Sequence, residues 1–146
     1  ASAGDGGETV RFSWPVCVPT GTGFGYRVDP FTGRATFHGG TDFPTDFGVA
    51  VRASASGRVI AAETRGPYGN MIEIDHGYGY RTRYGHLQGY SVTAGDMVAR
   101  GQMIGTVGSS GQSSGPHLHF EIWYNDVVRD ALKLLQPDPA CSPRRR

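Results

Sequence analysis

The sequence predicts an all-β fold built mainly of antiparallel strands, and two observations carry that prediction. Glycine is abundant, at 23 of 146 residues, and turn-forming residues recur about every eight to twelve positions, a spacing typical of antiparallel sheets. Short apolar or alternating segments lie between those turns. A chain of 146 residues suffices for one hydrophobic core, so a single domain is expected.

The first four predicted strands follow from these segments in chain order. Residues 49–51 and 57–62 are short apolar runs bounded by turn residues. Residues 70–76 alternate between apolar and polar side chains, as in a strand with one buried face. The Gly-Tyr-Gly turn at residues 77–79 leads into residues 80–86, which are the expected hairpin partner.

The C-terminal third predicts two further strands and one short helix. The strands are residues 103–107 and 117–123, and the Gly- and Ser-rich residues 108–115 form a loop between them. Apolar residues within 126–135 recur near helical spacing, and Pro137 follows them. This pattern predicts a short C-terminal helix.

Composition excludes several classes of function. The formal net charge of +1 gives no global attraction to nucleic acid, and the basic residues 144–146 are expected to be a solvated end. Lys133 is the single lysine, which argues against Schiff-base chemistry and a phosphate-binding P-loop. No run of 18 apolar residues occurs, so no membrane-spanning segment is predicted.

The two cysteines suggest an oxidising compartment. Cys17 and Cys141 lie near opposite ends of the chain in proline-rich segments, which favours one disulfide that joins the two ends. Two unrelated free thiols are the alternative. The first residues are small and polar and Ala1 is not methionine, as expected if a leader or a longer N-terminal region has been removed.

Two histidines one residue apart are the strongest chemical feature of the sequence. In a strand, residues i and i+2 share a face, so the imidazoles of His117 and His119 point the same way. Upstream, His38 and Asp42 are four residues apart, and the two glycines between them let the backbone curl. Together these segments offer the two nitrogens and one oxygen of a catalytic zinc site with one position left for water.

Three other polar residues near these motifs, Glu121, His86 and His76, have less specific signals. Glu121 shares the strand face of His119, where it either orients a ligand imidazole or is an ordinary solvated carboxylate. His86 taken alone is a strand-end histidine, and His76 is assigned no function. A helical His-Glu-x-x-His motif is absent from the sequence, which leaves imidazole as the candidate acid or base.

Residues 111–115 match the Gly-x-Ser-x-Gly pattern of serine hydrolases, with Ser113 at its centre. That motif needs a strand before the serine and a helix after it. Here Pro116 and the histidine-rich strand follow directly. We therefore interpret the segment as a flexible loop beside the site.

The motifs together resemble peptidase family M23, the zinc metallopeptidases of the lysostaphin and LytM type, from about residue 23 to about residue 135. The matching motifs are His38-x-x-x-Asp42, Tyr84-Gly-His86-Leu87, the Gly-x-x-Ile-Gly-x-Val-Gly-Ser stretch at residues 101–109, and Ser114-Gly-Pro-His117-Leu-His119-Phe120. The resemblance implies residues 1–22 as an N-terminal extension, 23–136 as the peptidase domain and 137–146 as a tail. It also implies a fold in which an antiparallel sheet forms the substrate groove, with loops along its sides.

The resemblance assigns roles to five residues. It implies that His38, Asp42 and His119 bind one Zn²⁺. His86 and His117 match the family histidines that flank the metal-bound water and stabilise the tetrahedral intermediate.

The implied function is an endopeptidase that cuts peptide cross-links of bacterial peptidoglycan. Residues 23–33 resemble members that cleave between D-alanine and meso-diaminopimelate, which favours a D,D-endopeptidase. A glycyl-glycine endopeptidase of the same family is the nearest alternative, and a non-enzymatic wall-binding or amidase-activating domain is the alternative from another class. The chain is expected to be a monomer in the periplasm or outside the cell, with peptidoglycan as its partner.

Overall fold

The architecture is an extended antiparallel sheet with a small separate hairpin. The computed structural model describes residues 10–111 and 113–141. Within them, 11 strands and two 3₁₀ turns follow one another. The elements are β1 (Gly25–Val28), β2 (Ala35–His38), β3 (Thr41–Pro44), β4 (Ala50–Arg52), β5 (Gly57–Thr64), a 3₁₀ turn (Gly66–Tyr68), β6 (Asn70–Gly77), β7 (Tyr80–Tyr90), β8 (Met97–Val98), β9 (Met103–Val107), β10 (His117–Tyr124), β11 (Val127–Arg129) and a second 3₁₀ turn (Ala131–Lys133).

The main sheet contains nine strands, and β1 pairs with β2 in a separate two-stranded sheet. In the main sheet, the central strands follow the order β11-β10-β7-β6-β5-β8. In addition, β3 pairs with β10, and β9 pairs with both β4 and β7. Every strand pair is antiparallel. The all-β prediction is therefore confirmed.

The alternation of β10 separates the core from the polar face. Leu118, Phe120 and Ile122 have no exposed surface and pack into the hydrophobic core. His117 and His119 lie at the alternate positions and so project from the opposite face. Burial of the apolar set fixes the register, because a slip by one residue would exchange the two faces.

Residues before β1 also contribute to the core. Phe12 and Val16 are buried, and the Trp14 indole donates a hydrogen bond of 2.9 Å to the Gln136 carbonyl. Phe12 also forms a parallel β-bridge with Leu135. The described part of the predicted N-terminal extension thus packs beside the end of the predicted peptidase domain.

The predicted disulfide is confirmed between Cys17 and Cys141. Residues 1–9 and 142–146, which include the predicted basic end, lie outside the described residues. No helix in the described part of the chain is both long enough and apolar enough to cross a membrane.

Reduction of this disulfide is expected to lower the melting temperature. The cysteines are separated by 124 residues, and the chain-entropy account gives about 4 to 5 kcal/mol of stabilisation for a loop of that size. For a domain of this length the loss corresponds to about 13 to 16 °C. Thermal melts with and without reductant measure it, and titration of the unfolded, unreduced chain should find no reactive thiol. Two reactive thiols would show that the bond does not form.

The six predicted strands are confirmed as β4, β5, β6, β7, β9 and β10, whereas the predicted helix over residues 126–135 is wrong in most of its extent. Asn125 and Asp126 have φ angles of 48° and 65°, so they form a tight turn rather than a helix start. β11 then pairs with β10, which suits the β-branched Val127 and Val128. The helix is reduced to a single 3₁₀ turn, capped by the Asp130 side chain.

Candidate metal centre

Three strands bring the first candidate residues together. His38 is the last residue of β2, Asp42 lies in β3, and His119 lies in β10 directly opposite Asp42 in the antiparallel register. The chain must therefore turn within Gly39 and Gly40 to pass from one sheet to the other. A Cβ atom at Gly40 would lie 2.5 Å from a His119 ring carbon, so this close approach requires glycine.

The donor atoms of the three side chains converge. His38 Nε2 lies 3.3 Å from Asp42 Oδ2, and His119 Nδ1 lies 2.9 Å from Asp42 Oδ1. One ligand atom from each residue falls within 4.8 Å of the other two. Two imidazole nitrogens and one carboxylate oxygen at this spacing fit a tetrahedral metal ion that keeps one open position.

Hydrogen bonds to one nitrogen of each ring determine which of the other ring nitrogens face Asp42. His38 Nδ1 lies 2.7 Å from the Gly23 carbonyl; because a carbonyl can only accept, Nδ1 carries the proton and Nε2 has the lone pair. His119 Nε2 lies 2.7 Å from a Glu121 carboxylate oxygen, and its Nδ1 lies 2.9 Å from Asp42 Oδ1. His38 Nε2 and His119 Nδ1 are therefore the ring nitrogens that face Asp42, and the His119 nitrogen would coordinate a metal ion after losing its proton.

Glu121 is itself fixed by its neighbours. It is 6% exposed, so it is not the solvated strand carboxylate that the sequence also allowed. The Tyr68 hydroxyl and the Trp123 indole each donate to Oε1 at 2.8 Å. With His119 on the other oxygen, the orientation of the carboxylate is determined by three groups.

The electrostatics of the centre favour charged carboxylates. Burial acts to raise the pKa of Asp42 and of Glu121, but hydrogen bonds and charge interactions with His119 outweigh it and leave both below their usual range. Burial acts to lower the pKa of His119, and its two carboxylate partners raise it to about 9.

His86 reaches the centre through a bulge in β7. The β6–β7 register shifts by one residue near Gly85 and His86, and His86 has a φ of 62°, a left-handed conformation that is uncommon for a non-glycine residue. Its Nδ1 donates to the Ser110 carbonyl at 2.7 Å. Burial is the main reason that the pKa of His86 lies below its ordinary value.

His117 lies beside His86, with their ring centroids 4.7 Å apart. Its Nδ1 donates to the Gly115 carbonyl at 2.9 Å, with the Ser113 oxygen 3.2 Å away. Its Nε2 lies 3.8 Å from Asp42 Oδ1. The ring is therefore held from behind, and its second nitrogen points towards the metal ligands.

Ser113 lies beside the His117 ring, with its oxygen 3.2 Å from Nδ1. Its hydroxyl donates to the Gly115 carbonyl at 2.6 Å. The segment that follows is β10, which begins at His117, so no helix stands where a serine-hydrolase motif needs one.

The cleft contains the sequence-predicted residues together with others that sequence reasoning missed. The missed wall residues include Phe37, Pro67 and Tyr68. Tyr68 stands in a 3₁₀ turn whose position depends on tertiary packing, so no pattern in the sequence points to it. Trp123 was detectable in principle, because it continues the alternate positions of β10 beyond Glu121.

An antiparallel sheet presents two histidines and an aspartate in an open cleft, with two further imidazoles beside them, which is the kind of donor set found at catalytic metal centres. The family model of peptidase family M23 matches residues 36–131. The chain belongs to that family.

Individual relatives agree with this assignment. The chain is 42% identical over 107 residues to the peptidoglycan DD-endopeptidase ShyB of Vibrio cholerae, covering 73% of this chain and 25% of ShyB. A zinc-containing peptidase from Vibrio cholerae has a TM-score of 0.81 and 39% identity, over 87% of this chain and 41% of that one. The catalytic domain of lysostaphin from Staphylococcus simulans has a TM-score of 0.66 and 34% identity, over 80% and 90%.

The chain spans about a quarter of the length of curated relatives such as ShyB. The residues that the family model matches, 36–131, include the whole metal centre from His38 to Glu121.

Proposed function

We propose that this chain is a zinc-dependent D,D-endopeptidase that hydrolyses peptidoglycan cross-links between D-alanine and meso-diaminopimelate. The observation that carries the proposal is the convergence of three metal donors with the imidazoles of His86 and His117 in one open cleft. The likeness to ShyB, a peptidoglycan DD-endopeptidase, supports this bond over the glycyl-glycine alternative.

His38 Nε2, an Asp42 oxygen and His119 Nδ1 would hold one zinc ion. Zinc in such a site supplies Lewis acidity, which activates water at neutral pH and polarises a carbonyl group. Glu121 is a positioning residue in this proposal. It holds the His119 proton on Nε2, at 2.7 Å, so that Nδ1 stays available as a ligand.

His86 and His117 form the acid–base pair. Each ring donates its Nδ1 proton to a backbone carbonyl, of Ser110 and Gly115 respectively, so each Nε2 is directed into the cleft. There one neutral ring can accept a proton from the attacking water at Nε2, and a ring protonated at Nε2 can donate a hydrogen bond to the oxyanion. Fixed rings lower the cost of orienting these groups during the reaction.

The proposal also includes the domain bounds, the oligomeric state and the compartment of the protein. Residues 23–136 form the peptidase domain, the protein acts as a monomer, and its compartment is extracytoplasmic. The Cys17–Cys141 disulfide supports this location, because such bonds persist where no reducing thiol pool opens them.

A chelator and a sulfonyl fluoride separate the metal and serine mechanisms. Purified sacculi are incubated with the chain, and released peptides are measured. We expect a chelator to abolish release, added zinc to restore it, and the sulfonyl fluoride to have no effect, because Ser113 is not activated. Inhibition by the sulfonyl fluoride alone would contradict the metal mechanism, and binding to sacculi without any release would indicate a non-enzymatic domain.

A further inference from the structure

The cleft face of the sheet continues beyond Glu121 as a cluster of charged residues. In the β10–β7 register Arg83 lies opposite Glu121, and Arg81 lies opposite Trp123. On the next strand Glu73 lies opposite Arg83. Because directly opposed residues share a face, this cluster forms one surface with the metal centre.

Three guanidinium groups surround Glu73, whose side chain is 4% exposed. They belong to Arg65, Arg81 and Arg83. Glu73 and Glu121 supply two buried carboxylates to the cluster. Two exposed carboxylates complete it, since Glu63 binds Arg65 and Asp126 binds Arg81, so four carboxylates meet three guanidinium groups.

Arg81 is held rigidly on its inner side. Its Nη1 donates to Glu73 at 2.6 Å, and its guanidinium carbon lies 5.8 Å from the centre of the Trp123 ring. The Arg81 side chain is 24% exposed, so its outer edge reaches solvent. An arginine fixed in this way is prepared to bind a carboxylate with little further loss of side-chain entropy.

The group on the outer edge is Asp126, whose carboxylate lies 2.9 Å from Arg81 Nη2. Asp126 is 90% exposed on its side chain and belongs to the β10–β11 turn. Ion pairs with so exposed a partner contribute little stability. A carboxylate from another molecule can therefore replace Asp126 without changing the charge of the cluster.

We propose that Arg81 and Trp123 form a subsite for a free carboxylate of the substrate peptide, which displaces Asp126. The proposal rests on the proposed peptidase function. Trp123 is four residues beyond His119 in β10, which is about 13 Å along a strand. The carboxylate recognised would lie about three to four residues from the scissile bond of an extended peptide.

Two synthetic cross-linked stem peptides test the subsite, one with a free carboxylate at that distance and the other with a carboxamide. We expect the zinc-loaded chain to show a kcat/KM about tenfold higher for the carboxylate peptide, as for a charge-assisted hydrogen bond. Arg81→Gln should lose this preference. Asp126→Asn should increase kcat/KM for the carboxylate peptide, because the internal competitor is gone.

Arg52→Gln is the matched control, since this β4 arginine donates to the Gly101 carbonyl and is not part of the cluster. It should retain the preference. Asp126→Asn leaves the buried contacts of Glu73 in place, so it tests the subsite even if Arg81→Gln folds poorly. Equal kcat/KM for both peptides, or a preference that survives Arg81→Gln, would overturn the subsite while leaving the peptidase intact. Cleavage of neither peptide would overturn the peptidase function and the subsite together.

Discussion

Replacing His119 with alanine is expected to remove the bound metal and all metal-dependent hydrolysis. The imidazole supplies Nδ1 at 2.9 Å from Asp42, and without it only two donors remain. Two donors do not make a stable zinc site, since catalytic sites use three protein ligands. Elemental analysis of the purified variant after dialysis measures the loss. Full zinc occupancy would contradict the ligand assignment.

Glu121→Gln provides a graded comparison in the same measurement. The amide can still contact His119 Nε2, but it lacks the charge that favours the Nε2-protonated ring, so zinc affinity should fall by about 10- to 100-fold. Glu63→Gln is the matched control, because Glu63 is exposed and binds Arg65 outside the metal centre. Its zinc affinity should equal that of the unmodified chain. Unchanged affinity in Glu121→Gln would show that Glu121 does not position His119.

His86→Ala and His117→Ala are expected to keep zinc and to lose roughly 100-fold or more in turnover, the usual scale for a lost acid–base group. Neither ring belongs to the three-residue donor set, so the metal should remain. Both rings present Nε2 to the cleft, so their loss should affect the chemical step. Turnover by each variant, normalised to its zinc content, makes this measurement.

His76→Ala is the matched control for removal of an imidazole. His76 binds the Ser56 carbonyl and the Thr82 hydroxyl and is not among the residues of the metal cleft. Turnover per folded molecule should therefore be retained, even if the melting temperature falls. Turnover in His86→Ala or His117→Ala equal to that of the unmodified chain would exclude that residue from the mechanism.

Much of the fold was predictable because its signals are local. Alternation in residues 70–76 and the Gly-rich turn after them predict the β6–β7 hairpin, and the structure has it. The helix over residues 126–135 was wrong because apolar spacing alone does not distinguish a helix from a tight turn followed by a strand. The left-handed φ angles of Asn125 and Asp126 decide between the two, and pairing with β10 stabilises the result.

The site was predictable to a similar extent. His117 and His119 share a face by strand geometry alone, and the two glycines between His38 and Asp42 suggested that these side chains converge. The resemblance to family M23 implied that His38, Asp42 and His119 are the ligand set. The bulge that directs His86 into the cleft depends on a one-residue shift between β6 and β7. Such a shift is set by packing across the sheet, and the sequence near His86 does not encode it visibly.

Mass spectrometry of the muropeptides released from purified sacculi tests the proposed function most directly. Sacculi with direct D-alanine–meso-diaminopimelate cross-links and sacculi with glycine bridges are digested in parallel with the zinc-loaded chain. We expect cross-linked dimers of the first kind to be converted into monomers whose masses show hydrolysis at the D-alanine–meso-diaminopimelate bond, and glycine bridges to stay intact. Cleavage within glycine bridges, with the direct cross-links untouched, would contradict the D,D-endopeptidase assignment.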